Sequence, residues 1–80
     1  MIHQTNQYVT SAQTALLNDL RDYRKLQGEL VQTTNAAIAS TLKCQMATDV
    51  ADMQLHTRDL DPSFVAADIK AIVAAMPSTC

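Results

Sequence analysis

The chain predicts an all-α fold: two amphipathic helices closing into a hairpin, followed by a short third helix, the outline of a small helical bundle or coiled-coil-like assembly. Three observations carry that prediction. The 80 residues contain one glycine and two prolines, so the breakers that punctuate β-rich chains are scarce. Alanine, leucine and glutamine, all good helix formers, are abundant, and methionine and arginine add to them. Apolar residues recur at helical spacing, and no segment shows the alternation of a half-buried strand.

The first helix is expected over residues 8–31. Val9, Ala12, Leu16, Leu20, Tyr23, Leu30 and Val31 project from one side, with Thr10, Ser11, Thr14, Asn18, Arg21, Asp22, Lys25 and Glu29 on the other. Gly28 falls on the polar side, where it costs up to about 1 kcal/mol against alanine without ending the helix. Beyond Val31 the apolar stripe changes phase by roughly 80° for a continuous helix of 3.6 residues per turn. Ile38, Leu42, Met46, Val50 and Met53 then align with one another. The intervening Gln32-Thr33-Thr34-Asn35 competes with helical hydrogen bonds and supplies N-caps, so a turn is placed there, with Asn35 or Thr34 capping a second helix over 36–57. The alternative is one long curved helix spanning both stripes.

The third helix is expected over 62–76. Asp61 is a suitable N-cap, Pro62 suits the first helical position, and Pro77 stops the run. Val65, Ile69, Ile72, Val73 and Met76 form an aliphatic stripe, and Ala67, Ala71, Ala74 and Ala75 form a flat second side. Residues 1–7 and 77–80 are expected to be loose ends. All of this amounts to a single domain over residues 1–80.

Size then bears on function. A chain this short buries only about 60 % of the surface it exposes when unfolded. Twelve alanines inflate the 48 % hydrophobic content, and aromatic residues are few. The aliphatic surface exceeds what such a core needs, which points to a protein partner or a homo-oligomer. The residues expected to meet it are Val65, Ile69, Ile72, Val73 and Met76 with Ile38, Leu42, Met46, Val50 and Met53. Met46, Met53 and Met76 suit adaptable contact surfaces but equally fill ordinary cores. The expected function is a non-enzymatic interaction module. It would self-associate or pack on a partner helix as a small subunit or chaperone of a larger assembly, such as a secretion apparatus, by analogy of size and composition alone.

Catalytic chemistry finds little foothold. Asp52 and His56 share a helical side, with Asp49, Asp59 and Asp61 nearby, but a carboxylate and an imidazole at i, i+4 are common on solvated helices. No catalytic residue, metal ligand or cofactor is therefore assigned, and no enzyme is expected. Asp59-Leu60-Asp61 is read as helix capping. Cys44 and Cys80, too few for a disulfide framework or a zinc site, are read as free thiols. With net charge −2 and no basic cluster denser than Arg21, Arg24 and Lys25, nucleic acid is a disfavoured partner. A small dimeric nucleic-acid-binding regulator that gathers those cations from two copies is kept as the alternative. No membrane span or secretory signal is read in the chain, which places it in the cytoplasm, with export by a non-classical route left open. The mixed charge of the 9–31 polar face argues against a helix lying on a membrane.

Overall fold

The computed structural model describes residues 6–58, 60–76 and 80. The expected loose residues 1–5 and 77–79 lie outside that set. Helix α1 spans Asn6–Gln32 and α2 spans Ala36–Arg58, so the chain is a hairpin and not one long rod. Asn6 and Gln7 are helical where a loose end was expected. At about 1.5 Å per residue the two arms are of similar length, and the molecule measures 52 × 18 × 16 Å.

The turn sits where the stripe changes phase. Thr33 donates its N–H to the Glu29 carbonyl at 3.0 Å, finishing α1. Asn35 then caps α2: its Oδ1 accepts from the N–H groups of Ala37 (2.9 Å) and Ile38 (3.1 Å), pairing two of the donors that a helix start leaves open. Gly28 is exposed, and α1 runs through it unbroken.

The core lies between the arms. Ala12, Leu16, Leu20, Tyr23 and Leu26 from α1 meet Leu42, Met46, Val50 and Met53 from α2, and Leu60, Val65 and Ile69 close one side. Leu16, Val50 and Met53 are at most 1 % exposed. This is the packing that a phase shift between two stripes requires: each faces the other only if the chain turns back.

The expected helix over 62–76 is divided. Pro62–Phe64 forms a single 3-10 turn, and α3 spans only Ala67–Ala75. Asp61 caps the short turn through the Ser63 N–H (2.9 Å) and hydroxyl (2.8 Å), which holds its carboxyl below the usual carboxylate range. Val65 then adopts an extended conformation, φ −106° and ψ 126°. A β-branched residue tolerates that geometry well, and its side chain is buried in the core with that of Leu60. Burial of Leu60, Val65 and Ile69 by one short segment outweighs the continuity that Asp61 and Pro62 promise locally. Ala66 starts α3 without a side-chain cap, and Asp68 stands in its first turn, where a carboxylate favours the helix dipole.

The free-thiol expectation is corrected. Cys80 is joined to Cys44, with their Cα atoms 4.7 Å apart. The chain leaves α2, turns at Leu60–Ala66 and brings Cys80 back beside the middle of α2, a proximity that a separation of 36 residues conceals.

Candidate functional site

The hairpin has two flanks, and the chain treats them differently. At about 100° per residue, Gln13, Leu17 and Arg24 lie on one flank of the α1 apolar stripe, and Asp19 and Asp22 lie on the other. The first flank is occupied by residues 60–76. Gln13 Nε2 donates to the Phe64 carbonyl at 3.0 Å, and Arg24 pairs with Asp68 at 2.9 Å. Both partners of that ion pair are about half exposed, so it orients α3 and contributes at most about 1 kcal/mol.

Beside these contacts is an open groove of about 270 Å³, lined by Gln13, Leu16, Leu17, Phe64, Ala66 and Ile69. Leu17 is 55 % exposed and Phe64 is 42 % exposed, although both are large and apolar. Further such side chains stand on the hairpin surface: Val31 and Ile38 on either side of the turn, and Leu55 farther along α2.

The ten residues expected to meet a partner distribute unevenly. Leu42, Met46, Val50, Met53, Val65 and Ile69 are buried in the chain's own core. Ile72, Val73 and Met76 are partly buried against that core, and Ile38 is exposed. The flat side of α3 does face outward, since Ala67, Ala71, Ala74 and Ala75 are all exposed.

The second flank is acidic. Asp19 and Asp22 are one turn apart on α1, as are Asp49 and Asp52 on α2, and the antiparallel register sets Asp19 against Asp52 and Asp22 against Asp49. His56, one turn beyond Asp52, brings its Nε2 to 3.4 Å from Asp52 Oδ2. One ligand atom from each of Asp19, Asp52 and His56 lies within 4.8 Å of the others. Asp19 Oδ2 and Asp49 Oδ2 are enclosed and have no hydrogen-bond partner. Between facing carboxyls only a proton or another cation can fill that role.

The crowding shows in the titration. Burial, then the hydrogen bond and charge of Asp52, push Asp19 up to about 7, with Asp49 and Asp22 adding to it. Burial likewise raises Asp49 to about 7, followed by the hydrogen bond and charge of Asp22 and the charge of Asp52.

A folded-state value above the unfolded one means that the native chain binds the proton more tightly. The resulting stability is complete below about 4 and is lost as the pH rises through about 7. Solvent screening on this open flank reduces the total to about 1–2 kcal/mol. Thermal melts in chelator-containing buffer are therefore expected to show a midpoint roughly 5–10 °C lower at pH 8 than at pH 5. The double variant Asp19→Asn, Asp49→Asn should flatten that slope, and an unchanged slope in it would show that other groups set the dependence.

Sequence reasoning reached Asp52, His56 and the nearby Asp49, but not Asp19 or Asp22. The available signal was the repetition of Asp-x-x-Asp, once in each helix, which becomes a cluster only after the hairpin register is known. The basic trio of α1 is exposed, and one member, Arg24, is engaged by Asp68. Among the described residues no helix is long and apolar enough to cross a membrane. Comparison with family models, with curated proteins and with solved structures finds no match for this chain.

Proposed function

We propose that the chain is a non-enzymatic protein-interaction module that packs against a second helical chain, namely another copy of itself. The observation that supports this reading is the groove beside α3: a hollow and two protruding apolar side chains, Leu17 and Phe64, occupy the same patch. A two-fold symmetric contact can use this arrangement, because the same patch then offers both apolar side chains and a hollow to its copy. Exposed large apolar groups that cluster at a hollow mark association surfaces more often than isolated ones do. Much of the aliphatic surface that suggested a partner is covered by the chain itself, so the contact falls on Leu17 and Phe64, with the alanine side of α3 as a flat neighbouring surface. A role as a subunit or chaperone of a larger assembly would use the same patch.

Sedimentation across nanomolar to micromolar concentrations tests the proposal. A concentration-dependent dimer is expected. The double variant Leu17→Ser, Phe64→Ser should weaken it by at least about tenfold for each side chain removed, at about 1.5–3 kcal/mol of burial apiece. Its helicity should not change, because both positions are substantially exposed. A wild-type chain that stays monomeric throughout, or a dimer indifferent to both substitutions, would overturn the reading.

The expected cytoplasmic location belongs with this proposal. Reducing cytosol keeps thiols open, whereas export to an oxidising compartment preserves a bond such as Cys44–Cys80. Intact mass of protein taken from its source after thiol blocking distinguishes the two locations.

A further inference from the structure

We propose that Asp19, Asp52 and His56 form a binding site for a divalent first-row transition ion, with Zn²⁺ the best fit, that clamps α1 to α2 midway along the hairpin. The ligand set is mixed: an imidazole nitrogen and two carboxylates, drawn from two helices and converging within 4.8 Å. Zinc accepts this combination at about 2.0–2.2 Å per ligand, which places ligand atoms about 3.4 Å apart in a tetrahedral shell. His56 Nε2 and Asp52 Oδ2 already stand at 3.4 Å. Closing the remaining spacing requires about 1.4 Å at most, within reach of the soft terminal torsions of aspartate.

A second and independent observation comes from the enclosed oxygen of Asp19. Oδ2 of this residue is shut off from solvent and has no hydrogen-bond donor other than a proton shared with the facing Asp52 carboxyl. A lone pair in that position is costly unless a proton or a metal ion occupies the space in front of it. The next turn repeats the arrangement at Asp49, whose own Oδ2 is enclosed and unpaired, and the carboxyl of Asp22 faces it. This second pair adds negative field beside the first three ligands. Calcium, magnesium and manganese favour shells made of oxygen, so the imidazole shifts the preference toward zinc and the other later first-row ions. His56 binding through Nε2 carries its proton on Nδ1. Three protein ligands leave the fourth position of the ion to water.

The site lies on the flank away from the Leu17–Phe64 groove, so its test is separate from that of self-association. Isothermal titration of the chelator-stripped full chain with Zn²⁺ should give one ion per chain, and Co²⁺ should produce visible ligand-field absorption. The melting temperature should rise on loading, because the ion binds the folded hairpin and not the unfolded chain. His56→Ala and Asp19→Asn should each weaken Zn²⁺ binding beyond the roughly 10–100-fold that loss of an outer-shell partner costs, and should abolish the thermal response. Asp19→Asn keeps the side-chain shape and relieves like-charge crowding, so that variant remains folded. No binding of either ion, or binding that survives both substitutions and disappears in His3→Ala, would overturn the site.

Discussion

Ile69→Asp is expected to detach α3 from the hairpin and lower the melting temperature by at least about 15 °C. Ile69 is 2 % exposed and sits in the core with Leu60 and Val65. Removing its aliphatic volume alone costs about 2–5 kcal/mol, and the aspartate adds the penalty of a charge without a buried partner. In a domain of this size each kcal/mol shifts the midpoint by about 4–8 °C. Lys70, the next residue, is exposed, and Lys70→Ala should stay within about 0.5 kcal/mol of the parent. Circular-dichroism melts at several protein concentrations make the comparison. Because Ile69 is covered by its own chain, the loss should already be present at the lowest concentration, where the parent is monomeric, and the proposed dimer should add to it only at higher concentrations. Equal melts for the two variants would mean that the α3 stripe is open to solvent.

The second large effect concerns Cys44 and Cys80. Their bond closes a loop 36 residues long, and in the chain-entropy account a loop of that length restricts the unfolded ensemble by about 3–4 kcal/mol. Cys80→Ser, Cys44→Ser and reduction of the parent should therefore each lower the melting midpoint by at least about 12 °C. Reductant should add nothing in either variant. Two titratable thiols in the non-reduced parent, together with full stability of Cys80→Ser, would show that the bond contributes nothing. The two predictions also separate from each other: the substitution at Ile69 acts on the folded core, whereas loss of the bond acts mainly on the unfolded state.

The turn and its cap were readable because they are local. Thr33-Thr34-Asn35 interrupts two stripes that are out of phase, and Asn35 needs only the N–H groups two and three residues ahead of it. The division of the expected 62–76 helix was not readable, since Asp61 and Pro62 give an equally good start to a long helix or to a single 3-10 turn. Burial of Val65 against distant residues makes that choice. The acidic flank has the same character: Asp19 and Asp52 are 33 residues apart in sequence, and only the antiparallel register opposes them.

Residue order alone determined that this chain is helical and marked Gln32–Asn35 as the place where it can turn, with one long helix left as the alternative, because helix propensity, capping and periodicity act over a few neighbouring residues. The tertiary structure decided the rest. It settled which aliphatic residues cover one another, that Leu17 and Phe64 remain outside, that Cys44 reaches Cys80, and that four aspartates and His56 share one flank. Each of those outcomes depends on contacts between segments that meet only after the chain has turned back on itself, and proximity in space is not encoded in any short run of residues.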